Sequence, residues 1–278
     1  MKVIRAKHAG ACYGVQRALD MAYAAVDDGN TAYTLGPLIH NPQVVETLEQ
    51  HGVSVAESID NVSEGIVIIR SHGVVPQVKK AAEERDLPII DATCPHVSRA
   101  QRAAAALAEE GYEIVIVGEA GHPEVEGMTA YAREAGGNVV IVADVEELPS
   151  DLKEPIGVVV QTTQAKENLD AVVEALEERG LSPYVKNTIC FATRQRQEAA
   201  AELARSVDAL VVIGGRNSSN TTRLHDICKV HCEHSYHIET PEEIDPDWFN
   251  RCDEVGVTAG ASTPEDQIES VIDYLESL

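Results

Sequence analysis

Three of the six cysteines lie at the same kind of position in the sequence. Cys94 follows a short apolar strand and a polar loop, and Pro95 can open a helix directly after it. Cys12 and Cys190 likewise follow a β-rich run and precede a helical stretch. Because thiolates bind soft metals and iron–sulfur clusters, three cysteines in one repeated context predict a shared metal centre.

The spacing beyond each cysteine repeats as well. His40, His122 and Ser218 each lie 28 residues after one of the three cysteines, and a glycine precedes each of them by four residues. A further polar loop follows later in each repeat, again just past an apolar run. These loops are Ser71-His72-Gly73, Gln161-Thr162-Thr163 and Ala261-Ser262-Thr263.

The number of cysteines favours one kind of metal centre. Zinc sites usually take four ligands with paired Cys-x₂-Cys spacing, which this sequence lacks. A [4Fe–4S] cluster held by Cys12, Cys94 and Cys190 leaves one iron open to a substrate oxygen. A single such cysteine can equally be a small buried residue at a helix start, but three in register at a repeat favour the cluster.

The polar loops are suited to an anionic ligand. Ser218, Ser219 and Asn220 follow a glycine-ended strand and open a helix, so they can present hydroxyls, an amide and backbone N–H groups. Plain helix capping is the alternative for this stretch, and also for Ser262 before Thr263-Pro264. Three histidines at strand ends can add donors without a permanent positive charge. They are His40, His72 and His122.

One acidic residue lies close enough to these loops to act in the chemistry. Glu124 follows His122 by two residues, and a dry, anionic site would favour its protonated form. Thr162 can relay a proton or orient a bond, although it cannot itself act as a general acid at neutral pH. Stabilisation of a helix N-terminus is the alternative role for Glu124.

The elements that carry these loops alternate between β-rich runs and helices, which is typical of parallel α/β units. A period of about 90 residues predicts three similar small α/β lobes with mainly parallel sheets. The predicted lobes are residues 13–94, 95–190 and 191–278, the last completed by the N-terminal strand within 1–12. Ligands bind beyond the carboxyl ends of parallel strands, so we expect a pseudo-threefold ring around a central cluster.

Composition narrows the classes of function. A net charge of −24 argues against general binding of nucleic acids or anionic membranes. No signal peptide and no apolar run of about 18 residues is present, so we expect a cytoplasmic protein. Free thiols or metal ligands are the norm there. Cys228, Cys232 and Cys252 lack the strand-to-loop context and are predicted to be ordinary thiols.

Together the motifs resemble the 4-hydroxy-3-methylbut-2-enyl diphosphate reductase family, iron–sulfur enzymes that end the non-mevalonate isoprenoid pathway. The resemblance covers nearly the whole chain, in order. Ala11 and Tyr13 stand where the family usually has phenylalanines beside the first cysteine. The motifs are Ala9–Val15, Gly36–Asn41, Ser71–Val74, Asp91–Pro95, Gly121–Gly127, Gln161–Thr163, Asn217–Asn220 and Gly256–Ser262.

The resemblance implies a role for each group of residues. Cys12, Cys94 and Cys190 would ligate a [4Fe–4S] cluster, and Glu124 and Thr162 would handle protons. The substrate hydroxyl would bind the open iron, and two electrons from a ferredoxin or flavodoxin would yield isopentenyl and dimethylallyl diphosphate. The diphosphate would be held by His40, His72, His122, Ser218, Ser219, Asn220 and Ser262.

Two other functions stay open on the sequence. A three-lobed cluster enzyme similar to quinolinate synthase would also use three cysteines, but it would not explain the Ser-Ser-Asn loop beside the His-Pro-Glu motif. A cluster-based redox sensor would need a nucleic-acid-binding or partner module, and the acidic chain shows no basic helix or extra domain for it.

Overall fold

The computed structural model describes residues 1–27 and 29–278 and has an alternating α/β order. The helices are α1 (Tyr13–Val26), α2 (Pro42–Gln50), α3 (Pro76–Glu83), α4 (Pro95–Glu109), α5 (Pro123–Glu134), α6 (Lys166–Glu178), α7 (Phe191–Ala204), α8 (Ser219–His231) and α9 (Glu265–Ser277). The strands are β1 (Lys2–Arg5), β2 (Ala32–Leu35), β3 (Val53–Ala56), β4 (Ile66–Ile69), β5 (Ile89–Asp91), β6 (Glu113–Val117), β7 (Val139–Val142), β8 (Ile156–Val160), β9 (Tyr184–Lys186), β10 (Ala209–Ile213), β11 (Ser235–Ile238) and β12 (Glu254–Ala259).

The strands form three four-stranded parallel sheets with one repeated order. They run β3-β2-β4-β5, β7-β6-β8-β9 and β11-β10-β12-β1. In the third sheet Lys2 pairs with Glu254 and Arg5 with Val257, so β1 takes the place of β5 and β9 in the other two. The prediction of three parallel α/β lobes is confirmed, and so is the return of the N-terminal strand to the third.

The described chain divides into two compact units. The first comprises Met1–Val15, His40–Gln43 and Phe191–Leu278 and holds the sheet of β1, β10, β11 and β12. The second comprises Gln16–Ile39 and Val44–Cys190 and holds the other two sheets.

The central strands β6, β8 and β10 read as largely apolar runs because helices cover both faces of their sheets. In the first unit Val211 and Ile213 pack with α9, whereas Leu210 and Val212 pack with α7 and α8. In the second unit β6 and β8 have the same arrangement, with α4 and α5 on one face and α6 on the other. Because both faces of these sheets are buried, side chains that can bind a ligand lie at the strand ends.

One strand is absent from the sequence prediction. Val53–Ala56 forms β3 at the edge of its sheet, where its four residues alternate only weakly in polarity. In the described residues no helix is both long and apolar enough to span a membrane.

Candidate active site

The three repeated cysteines are anchored in one way. Each cysteine N–H donates to the carbonyl of the residue that lies two positions beyond the neighbouring parallel strand. Those strands are β4, β8 and β12. The bonds run from Cys94 to Ser71 at 2.9 Å, from Cys190 to Thr162 at 2.9 Å and from Cys12 to Ala261 at 3.1 Å. The fold therefore presents three equivalent cysteine loops, and each is tied to one of the predicted polar loops.

The cysteines of these loops form no disulfide. Cys12, Cys94 and Cys190 are half-buried, and Cys94 is the N-cap residue of α4. Cys228 and Cys232 also form no disulfide but are buried, and burial raises the pKa of Cys228 to about 12. Cys228 and Cys232 thus differ from the three loop cysteines in their burial, and the assignment of Cys228, Cys232 and Cys252 as ordinary thiols stays a prediction. Each of the three loop cysteines has the half-buried position at a strand end that suits a thiolate ligand.

The turn before Cys94 is held by a carboxylate. Asp91 ends β5, and its side chain accepts the Thr93 N–H at 3.0 Å and a bond from Lys79 at 3.1 Å. Burial works to raise the pKa of Asp91, but the hydrogen bonds from Thr93 and Lys79 outweigh it and the pKa is lowered. The ionised carboxylate thus fixes the backbone that leads to the cysteine.

The second unit contains the closest contact among the predicted catalytic residues. Glu124 is 1% exposed, in the first turn of α5. Its Oε1 accepts the backbone N–H of Thr162 at 2.6 Å, and its Oε2 accepts the Thr162 hydroxyl at 2.7 Å. The carboxyl therefore binds the same residue whose carbonyl anchors Cys190. A buried acid bonded to a hydroxyl is a suitable proton store and relay.

His122 precedes Glu124 as the N-cap residue of α5. Its Nδ1 accepts the Glu124 N–H at 3.1 Å, so the neutral ring carries its proton on Nε2. That nitrogen is then a donor toward an anion. The His72 ring stands edge-on to the His122 ring, with centroids 5.6 Å apart. Two of the three strand-end histidines named from the sequence therefore lie side by side in the second unit.

In the first unit, the first turn of α8 carries an amide without a partner among the described residues. Asn220 is 7% exposed, and neither its side-chain oxygen nor its side-chain nitrogen meets a hydrogen-bond partner among the described residues. Ser218 accepts the Thr221 N–H at 3.3 Å, so it is also the helix cap that the alternative reading expected. Ser219 is half-buried at the first position of α8. Buried amides without a protein partner are rare, and a bound ligand or an ordered water is the usual partner of such a group.

The segment at His40 is tied to the loop that contains Ser262. The Ser262 hydroxyl donates to the His40 carbonyl at 3.1 Å, and the Asn41 amide donates to the Ser262 carbonyl at 3.0 Å. Asn41 also donates to Gln267 at 2.9 Å. Ser262 thus supports the backbone of His40, and the structure gives Asn41 a supporting role that was not assigned from the sequence.

Two buried glutamines that were not assigned from the sequence lie beside the predicted site loops. Gln161 is fully buried, accepts the Glu119 N–H at 3.1 Å and donates to Thr163 at 3.2 Å. Gln101 lies beside the His72 loop, where a Cβ added to Gly73 would come within 2.6 Å of its amide nitrogen. The position of Gln161 in the Gln-Thr-Thr motif was a signal for it, whereas Gln101 lies in a helix that reads as ordinary.

A family model and curated relatives match this chain over its length. The family model described as LytB protein matches residues 3–276. A 4-hydroxy-3-methylbut-2-enyl diphosphate reductase from Geobacter sp. (strain M21) is 50% identical and covers 100% of this chain and 98% of that protein. The enzyme of that name from Citrifermentans bemidjiense is 51% identical with the same coverage.

Solved structures are similar too. The chain resembles a structure of (E)-4-hydroxy-3-methyl-but-2-enyl diphosphate reductase, the terminal enzyme of the non-mevalonate pathway, with 43% identity, a TM-score of 0.73 and full coverage of both chains. A reductase from Plasmodium falciparum is 26% identical with a TM-score of 0.90, covering 99% of this chain and 87% of that one.

Proposed function

The chain belongs to the LytB family, and from that membership we propose that it is an oxidoreductase acting on 4-hydroxy-3-methylbut-2-enyl diphosphate. The reaction removes the allylic hydroxyl. Two electrons and two protons are taken up, one water leaves, and a five-carbon diphosphate remains, either isopentenyl or dimethylallyl diphosphate. Neither the quinolinate synthase-like alternative nor the redox-sensor alternative gains support from the relatives.

The observation that carries the proposal is the matched anchoring of the three cysteines. Half-buried cysteines that form no disulfide and lie on equivalent loops fit a [4Fe–4S] cluster bound by Cys12, Cys94 and Cys190. When bound, such a cluster supplies single electrons and a Lewis-acidic iron. The chain itself must then supply the protons and hold the diphosphate.

Glu124 and Thr162 supply the protons in this proposal. Hydroxide is a poor leaving group, so the C–O bond breaks more readily when a proton reaches the oxygen. Glu124 stores the proton in a buried position, and the Thr162 hydroxyl bonded to Oε2 passes it on. The second hydrogen bond, from the Thr162 N–H to Oε1, fixes the carboxyl plane for that transfer.

The histidines and the Ser-Ser-Asn loop hold the diphosphate. His72 and the Nε2–H of His122 donate from the second unit. From the first unit, the amide of Asn220 donates at the start of α8, where the helix dipole favours an anion. The remaining contacts are assigned to His40, Ser218, Ser219 and Ser262. No lysine is needed for this set of donors.

The wider assignment follows from the same family. We assign the lobes to residues 13–94, 95–190 and 191–278 with 1–12. A ferredoxin or flavodoxin would deliver the electrons, and the enzyme would act in the cytoplasm, apart from nucleic acid and membrane.

Anaerobic turnover tests the proposal. Cluster-loaded protein is given 4-hydroxy-3-methylbut-2-enyl diphosphate and an artificial one-electron donor, beside Cys12→Ser, Cys94→Ser, Cys190→Ser and the control Cys228→Ser. We expect five-carbon diphosphates from the wild type and the control only. A cluster that forms while the substrate stays intact would reject the reductase function, and full iron content in all three loop variants would reject the ligand assignment.

A further inference from the structure

Arg196 is a buried arginine whose guanidinium binds backbone carbonyls. It lies on α7 and is 8% exposed. Its Nε and Nη2 donate to the Gly10 carbonyl at 2.9 and 2.7 Å, and Nη2 also donates to the Ala11 carbonyl at 3.2 Å. Nη1 donates to the Ala192 carbonyl in its own helix at 2.9 Å. One side chain thus joins α7 to the two residues that precede Cys12.

These bonds complete the support of the Cys12 loop. The Gly10 N–H donates to the carbonyl of Ala259, the last residue of β12, at 3.3 Å. The Cys12 N–H donates to the carbonyl of Ala261, two residues further on, at 3.1 Å. On the acceptor side, the carbonyls of Gly10 and Ala11 receive Arg196. A loop held on both sides has little freedom to reorient the side chain that follows it.

The shape of this loop also depends on Gly10. Its φ is +89°, a left-handed conformation that favours glycine, and an added Cβ would come within 2.6 Å of Ile268 Cδ1. The turn therefore directs the Gly10 carbonyl in a way that an ordinary residue adopts only with strain. Arg196 binds the carbonyl that this turn presents.

A parallel contact occurs at the second cysteine. Arg17 on α1 donates from Nη1 to the carbonyl of Thr93 at 3.3 Å, and Thr93 directly precedes Cys94. In each unit, then, an arginine from a helix that follows one repeated cysteine binds the residue before another. Arg17 makes a single hydrogen bond to its cysteine loop from a half-buried side chain. Arg196 is buried and makes three hydrogen bonds to the Cys12 loop, so it constrains that loop more tightly.

We propose that Arg196 is a positioning residue that holds the Cys12 sulfur in its ligand geometry. The inference rests on the proposed role of Cys12 as a cluster ligand. A guanidinium can bind the adjacent carbonyls of Gly10 and Ala11 as a planar fork, which the single ammonium of lysine cannot reproduce. Loss of the fork frees the loop to open locally, so thiol access and cluster retention at Cys12 change while the rest of the fold stays intact.

The test compares Arg196→Lys with Arg194→Lys, an exposed arginine two residues away on the same helix. In cluster-free protein, alkylation of Cys12 and Cys94 is timed by peptide mass spectrometry. We expect Arg196→Lys to speed alkylation of Cys12 about tenfold, with Cys94 and the control variant unchanged. In reconstituted protein, iron release to a chelator should accelerate by a similar factor, and the electron paramagnetic resonance spectrum of the reduced cluster should broaden.

The other outcomes overturn the proposal. Equal alkylation rates in Arg196→Lys and wild type, or equal acceleration at Cys12 and Cys94, would show that the arginine does not act on the Cys12 loop. Loss of the circular dichroism spectrum would make Arg196 a residue of global stability instead. A wild-type protein that binds no cluster would count against the proposed function. The alkylation rates, measured on cluster-free protein, would still test whether Arg196 holds the Cys12 loop.

Discussion

The carboxylate of Glu124 holds Thr162 by both of its donors, the backbone N–H at 2.6 Å and the hydroxyl at 2.7 Å. The Thr162 carbonyl in turn accepts the Cys190 N–H. The acid is thus connected to a cysteine loop through a single residue, and a change at Glu124 can affect proton delivery, loop position or both. Variants that separate these effects are the most informative.

Glu124→Gln should keep the fold and the cluster but lose turnover by a factor of about 10² to 10⁴. The amide still accepts the Thr162 N–H, so the Cys190 loop stays in place, but no acidic proton is available. Turnover and iron content are measured together. Glu126→Gln, an exposed acid on the same helix, is the control and should remain active. Loss of iron in Glu124→Gln would instead make Glu124 structural.

Cys228 should resist alkylation in native protein. Burial raises its pKa to about 12, which leaves a thiolate fraction of about 10⁻⁴ at pH 8. Peptide mass spectrometry of cluster-free protein should therefore find label at Cys12, Cys94 and Cys190 well before Cys228. Reconstitution should then protect the first three. Label at Cys228 as early as at Cys94 would contradict the burial described above.

Substrate affinity should weaken as the pH rises from about 6 to 9, because histidine cations bind a diphosphate more strongly than neutral rings do. His72→Asn should flatten this profile more than His122→Asn. His122 accepts a backbone N–H on Nδ1 and takes up a second proton only by losing that bond, and asparagine preserves the cap. The test is the dissociation constant of the substrate, measured across this pH range. A wild-type dissociation constant that does not change with pH would contradict the proposed role of histidine protonation.

Gly260→Ala should destabilise the protein by about 1–3 kcal/mol and raise the dissociation constant of the substrate. An added Cβ would meet Thr221 Oγ1 and push on the first turn of α8, which carries Ser219 and Asn220. Gly256→Ala on the same strand is the control. There the nearest atoms, at 3.1 Å, belong to the flexible side chains of Leu203 and Val207, so affinity should not change. Unchanged affinity in Gly260→Ala would contradict the proposed contact.

Protonation of His237 should lower the free energy of unfolding of cluster-free protein in acid. Burial lowers its pKa below 6.5, so the unfolded chain binds a proton more readily than the folded one. Its contribution is complete above about pH 6.5 and is lost as the pH falls toward the folded pKa. Urea unfolding at pH 7.5 and 5.5 should show a smaller pH effect in His237→Gln than in wild type or in the exposed control His234→Gln. Equal pH effects in all three would exclude this role.

The repeated features were predictable because local sequence encodes them. Apolar runs ending at glycine, and a cysteine before a helix start, locate the strand ends without tertiary information. The return of β1 to β12 followed from the repeat, since the third lobe otherwise lacked a strand. The strand at Val53–Ala56 was not predicted because a four-residue edge strand has too short a pattern of buried and exposed residues to be recognised in the sequence.

Contacts between distant segments were out of reach of the sequence. The bond from Ser262 to the His40 carbonyl joins residues 222 positions apart, and the contact of Arg196 with Gly10 joins residues 186 apart. Serine and arginine at those positions suit a helix cap or an exposed helix face equally well. Only the folded backbone decides which carbonyl each side chain meets.

The pairing of β1 with β12 orders events during biosynthesis. Cys12 leaves the ribosome before Cys94 and Cys190, yet its loop is held by Ala259 and Ala261, which emerge about 250 residues later. Nascent chains can fold the second unit first, whereas the sheet around β1 must wait for β12. The Cys12 loop is therefore complete only in the released polypeptide, and the earliest of the three repeated cysteines to be translated is the last to reach its place.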